Sequence, residues 1–79
     1  MKMVFGYVLI SAKAGKERAV YDELMKVKEL VECHPLFGEY DIISKIETDD
    51  YKKLGEIVVD KIRKIEGVTD TKTLTGIPP

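Results

Sequence analysis

The side chains able to do chemistry in this 79-residue chain are few, and most of them fall between positions 32 and 50. A single cysteine, Cys33, is followed directly by the only histidine, His34. Together they fall short of the three or four nitrogen and sulfur ligands of an ordinary zinc site, so neither a metal nor another cofactor is expected. In an extended segment, neighbouring side chains point to opposite faces, which keeps this thiol and imidazole from meeting as nucleophile and base. His34 then reads as an interface or partly exposed strand residue. Carboxylates pair at Asp49-Asp50 and at Glu39 with Asp41. The first pair, after Thr48, suits the start of a helix. The second flanks the corner Gly38-Glu39-Tyr40-Asp41, where glycine leaves backbone amides approachable. There Asp41 could accept an ammonium group, and Tyr40 could wall or hydrogen-bond a small ligand. The competing reading is a plain turn held by an Asx-type bond. Neither phosphate-cradling pattern, GxxxxGK or GxGxxG, is present.

These residues need elements to hold them. Residues 3–11 are β-branched and aromatic, with Val4, Val8 and Ile10 on one face and Phe5, Tyr7 and Leu9 on the other. A strand apolar on both faces belongs in the middle of a sheet. From 16 to about 27, Val20, Leu24 and Val27 recur at helical spacing. Residues 30–37 alternate Val31 and Cys33 against Glu32 and His34, and Pro35 places this strand at an edge or a bulge. The short link Gly38-Glu39 joins it as a hairpin to a third strand, 40–47. A second helix follows, with Leu54, Ile57, Val58, Ile62 and Ile65 as its stripe and Gly67 as its stop. Gly55 inside that helix suggests a close backbone contact. The last strand, 68–77, puts Thr69, Thr71, Thr73 and Thr75 on one face, and Pro78-Pro79 ends the pairing.

The order is βαββαβ, an α+β, ferredoxin-like plan over a single domain, 1–79. Two helices can cover only one face of a four-stranded antiparallel sheet. Phe5, Tyr7, Leu9, Ile43 and the edge residue His34 are therefore expected on an open face that pairs with a second copy.

Composition narrows the rest. Thirteen basic against fourteen acidic residues give a formal net charge of −1, with no basic cluster of the kind nucleic acid attracts. No apolar run approaches the ~20 residues of a membrane span. A lone thiol agrees with a cytoplasmic location. Asparagine, glutamine and tryptophan are missing while lysine, glutamate and isoleucine are plentiful, which is the composition of proteins from hot sources. A chain this short has a small core and no internal disulfide, so association is the stabiliser left to it.

The stretch Val31-Glu32-Cys33-His34-Pro35-Leu36-Phe37-Gly38-Glu39-Tyr40-Asp41-Ile42-Ile43-Ser44-Lys45, followed by Ile65-Glu66-Gly67-Val68-Thr69-Asp70-Thr71-Lys72-Thr73, resembles the effector-binding (RAM) domain of the Lrp/AsnC transcription regulators. The resemblance runs from the first strand to Ile77. It implies the same βαββαβ fold, dimers formed through the sheets, and octameric or decameric rings with amino-acid effectors at the contacts between dimers. Carried over by motif, Gly38, Tyr40 and Asp41 would lie at the ligand site, Glu39 would bias ligand choice, and Thr71 and Thr73 would stand nearby from the same or a neighbouring subunit. The family's regulators carry an N-terminal helix-turn-helix, and the first strand here begins at about Met3. The expectation is a stand-alone module that makes no direct contact with nucleic acid and modulates full-length regulators by mixed assembly or competition for ligand. The alternative function is a small dimeric enzyme with its pocket between sheet and helices, for which only His34 with Tyr7 or Tyr40 is on offer. An RNA-binding sheet using Phe5 and Tyr7 is disfavoured by the acidic balance.

Overall fold

In a computed structural model, which describes residues 3–77, the elements run β1 (Val4–Ala12), α1 (Glu17–Leu24), β2 (Leu30–Pro35), β3 (Ile42–Thr48), α2 (Tyr51–Ile57) and β4 (Val68–Thr75). A π-helical stretch, Val58–Ile62, continues α2. The four strands form one antiparallel sheet in the order β2-β3-β1-β4. β1 is central and β2 lies at an edge, where the missing N–H of Pro35 costs no ladder bond. The two terminal prolines lie outside the described residues.

Alternation along β1 and β3 sets the two faces. Val8, Ile10, Ile42 and Ile46 are buried under the helices, where they meet Val20 and Leu24 of α1 and Leu54, Ile57, Val58 and Ile62 of the second helical segment. Each such side chain contributes about 1.5–3 kcal/mol when fully buried. Asp50 starts α2 by accepting the Lys53 backbone N–H at 2.7 Å. The π-helical stretch is marked by the Arg63 N–H, which reaches the Val58 carbonyl at 2.8 Å. The apolar stripe survives this change of pitch because Val58 and Ile62 still fall on one side.

Several local expectations are corrected. α1 ends at Leu24 rather than near 27, and Val27 packs on the core from the following turn. Val31 is the extra residue where the β2 register shifts between Leu30 and Glu32, so it leaves the alternation and is exposed. Thr69 likewise sits at the register shift where β4 passes Ser11 and Ala12. Only Thr71, Thr73 and Thr75 therefore hold the common face in regular register. β2 and β3 are joined by six residues, 36–41, rather than by a tight Gly38-Glu39 turn, and neither Tyr40 nor Asp41 belongs to a strand.

The glycine that permits close approach is also a different one. Around Gly55 nothing lies within 4 Å of where a Cβ would stand, whereas at Gly6 the Leu54 side chain would be 3.0 Å away. Gly6 thus lets α2 settle on β1. Gly67 carries φ +101°, and a Cβ there would lie 2.9 Å from Val20 Cγ2 and 3.0 Å from Lys16 Cβ. Gly67→Ala is expected to cost about 2–4 kcal/mol, from left-handed strain plus that collision. Thermal unfolding should read this as a loss of roughly 10–20 °C; an unchanged midpoint would contradict the account.

One ion pair ties the turn after α1 to the π-helical stretch. Lys61 Nζ lies 2.9 and 3.0 Å from the two Glu29 oxygens. That ammonium holds the Glu29 carboxyl below the ordinary carboxylate range.

Candidate ligand-binding site

The corner nominated for ligand binding is held by a long-range clamp. The Leu36 N–H donates to the Asp41 carbonyl at 2.7 Å, and the Asp41 N–H donates to the Ile10 carbonyl at 2.9 Å. The Ala12 N–H donates to Asp41 Oδ2 at 2.7 Å. The carboxylate therefore fastens the start of β3 to the end of β1, while its Oδ1 makes no hydrogen bond among the described residues. An acidic side chain fixed in this way can still offer one oxygen to an ammonium group.

Beside the corner lies a cleft of about 500 Å3, lined by Glu17, Arg18 and Tyr21 of α1 with Pro35, Leu36, Asp41 and Ile42. Its mixed apolar and charged lining is that of small-molecule sites. Arg18 is occupied by Asp22 at 3.1 Å. Of the nominated corner residues, only Asp41 lines this cleft. Tyr40 is half-buried, Gly38 and Glu39 are exposed, and Gly38 takes φ +148°. Phe37, next to them, is fully exposed.

Thr71 and Thr73 stand elsewhere. They pair with Ile10 and Val8 on the far side of β1, Thr71 half-buried and Thr73 exposed. Ile10 is the shared neighbour, facing Ile42 on one side and Thr71 on the other. The β1 backbone lies between the two groups, and neither threonine lines the cleft beside Asp41. A single chain does not bring them into one cleft.

The open sheet face carries the residues expected there. In register across it lie His34, Ile43, Leu9 and Lys72, then Glu32, Lys45, Tyr7 and Leu74, then Glu47 and Phe5. Phe5 and Tyr7 meet edge to face at 5.9 Å between centroids. Lys45, on the same face of β3 as Ile43, lies over both aromatics. Its Nζ is 4.8 Å from the Phe5 ring centre and 5.8 Å from that of Tyr7. It also lies 3.6 Å from Glu47 and 4.0 Å from Glu32. This apolar strip with an internally balanced charge leaves Phe5, Tyr7, Leu9 and Ile43 half-buried and Leu74 exposed. Leu74 escaped the sequence reading, which singled out only the threonines of that strand. His34 is exposed on the same face, its Nε2 3.3 Å from Glu32 Oε1.

Cys33 turns inward beside Ser44, and burial pushes its thiol pKa up. A thiol held protonated is a poor nucleophile. Among the described residues no group of three or more His, Cys, Asp or Glu is placed to hold a metal ion. No helix is long and apolar enough to cross a membrane.

Comparison with known proteins bears on the fold and the family. The family model described as the Lrp/AsnC ligand binding domain matches residues 6–76. The HTH-type transcriptional regulator FL11 of Pyrococcus furiosus is 37% identical over 71 residues, which cover 90% of this chain and 46% of FL11. This chain thus spans about half the length of the curated relatives it matches, which are named as transcriptional regulators and point away from enzymatic activity. Two solved structures match nearly end to end. FFRP-DM1 superposes with a TM-score of 0.88 at 39% identity, covering 94% of this chain and 99% of the other. PHS023 of Pyrococcus horikoshii superposes with a TM-score of 0.86 at 38% identity, covering 96% and 92%. The fold, the match over nearly the whole chain and these relatives place the protein in the Lrp/AsnC ligand-binding domain family.

Proposed function

We propose that this domain is a regulatory module that binds an amino acid and assembles with copies of itself. The observation that carries the reading is the clamped Asp41, whose free Oδ1 is available to an ammonium group beside a cleft of about 500 Å3. A fold relative, the Neisseria meningitidis regulator NMB0573, has been crystallised as an L-Met complex, which sets the class of probe to try first.

The separation of Asp41 from Thr71 and Thr73 gives assembly its role. Asp41 and the two threonines lie on opposite sides of the β1 backbone, and one chain does not present them in one cleft. The two halves of the site therefore come from different copies, and the ligand favours the assembled state by its difference in affinity for assembled and free forms. Copies pair first through the open sheet face of Phe5, Tyr7, Leu9, His34 and Ile43, and such dimers close into octameric or decameric rings. The same domain occurs within full-length regulators, so the same surfaces would admit a regulator into mixed assemblies.

A thermal-shift panel of the twenty amino acids, read beside oligomer mass, tests this. At about 100 times its dissociation constant a ligand adds about 2.7 kcal/mol, hence roughly 10–20 °C. At least one amino acid should do so and raise the mass. A panel in which none moves either readout would overturn the proposal.

A further inference from the structure

The two edges of the sheet are not alike. β2 is short, ends in Pro35 and is irregular at Val31, features that discourage strand addition. β4 has eight residues, no proline and, from Asp70 to Thr75, an unbroken register with β1. The Gly76 N–H donates to the Phe5 carbonyl at 2.9 Å. Backbone bonding alternates along an antiparallel pair, so Leu74, Lys72 and Asp70 also turn their amides and carbonyls to β1. Thr71, Thr73 and Thr75 turn theirs outward, to an edge with no strand beyond it.

Along that edge the residues are arranged symmetrically about Thr71, with Asp70 and Lys72 as the inner pair and Thr69 and Thr73 as the outer. An antiparallel copy laid against the edge about a two-fold axis keeps its side chains on their proper faces only if one residue stands opposite itself. Centred on Thr71, the pairing sets Asp70 of each copy opposite Lys72 of the other. Centred one residue either way, it sets Lys72 against Lys72 or Asp70 against Asp70, and like charges directly opposite repel. Both side chains are exposed and free to meet a copy. A lysine on an edge ordinarily discourages pairing. With an aspartate two residues away, it selects one register instead.

We propose that β4 is a second self-association surface, on which two copies join edge to edge in antiparallel register about Thr71. The backbone of Thr71 bonds to that of its counterpart, and an Asp70–Lys72 ion pair flanks it on each side. Sheets joined in this way turn their open faces to the same side, so the edge contact does not compete with pairing through Phe5, Tyr7 and Leu9. One edge contact alone is small. It operates between face-paired dimers, each of which presents two such edges. The inference rests on the assembly part of the reading above, not on its amino-acid ligand.

Sedimentation equilibrium on the wild-type protein should show species larger than a dimer. Lys72→Asp and Asp70→Lys each set like charges across the axis. Either should raise the dissociation constant between dimers at least tenfold and leave the dimer as the main species. The double variant, Asp70→Lys with Lys72→Asp, puts opposite charges across the axis again and should recover the larger species, which a general effect of surface charge would not do. Because both side chains are exposed, all three variants should melt within a few degrees of wild type. Large species that persist in both single variants, or fail to return in the double variant, overturn the edge contact. A wild-type protein that stops at the dimer overturns it too and leaves the face pairing standing; a monomer removes both.

Discussion

Replacing Leu9 by aspartate is expected to release monomers of 8.9 kDa at concentrations where the wild-type protein is associated. Leu9 lies in the middle of the open face, with Ile43 on one side and Lys72 on the other. In an isolated chain a carboxylate there remains in water and gains a cross-strand lysine, so the fold should persist. In a paired sheet the same carboxylate would be buried against the partner's apolar surface. Leaving a charge uncompensated in such a place costs about 3–5 kcal/mol, which raises the dissociation constant by at least about 100-fold. Sedimentation equilibrium with a parallel melting curve separates loss of pairing from loss of fold. A wild-type protein already monomeric at micromolar concentration would remove the sheet-face pairing altogether.

Asp41 should separate two roles that a single alanine substitution would confuse. Its Oδ2 takes the Ala12 N–H at 2.7 Å, so Asp41→Ala leaves a half-buried donor unpaired. That variant is expected to lose about 1–3 kcal/mol of stability, roughly 5–20 °C, along with the ligand. Asp41→Asn keeps an amide oxygen for Ala12 and replaces the free carboxylate oxygen with an NH2 group, which repels an ammonium. It should melt within a few degrees of wild type and bind the amino acid at least tenfold more weakly. Calorimetry showing unchanged affinity in Asp41→Asn would confine Asp41 to its structural clamp.

Much of the plan could be read along the chain because the informative patterns are local. Both faces of β1 are apolar within nine residues, and only a central strand buries both. The stripe from Leu54 to Ile62 and the Asp50 cap announce the second helix in the same way. Conformation at the joints was less legible. The alternation of Tyr40, Ile42, Ser44 and Ile46 continues backwards out of β3 and suggests strand where there is loop. What stops the strand is Asp41 bonding to Ala12, a contact spanning 29 residues. The π-helical stretch is silent for a related reason. The same apolar spacing serves either pitch, and packing decides which carbonyl the Arg63 N–H finds.

The sequence alone determined which residue types are available, the order of the elements, the apolar face left over, and a corner with the chemistry to hold a small ligand. It also carried, in Gly-x-Tyr-Asp and the threonine-rich last strand, the resemblance that led to the family. Only the tertiary structure decided that Asp41 is already half engaged, that β1 stands between it and Thr71, and that Gly6 rather than Gly55 admits close packing. The physical reason is reach. Periodicity is set by sterics and burial over a few neighbours, whereas these placements depend on strand register and helix seating, which only the packing of the whole domain fixes.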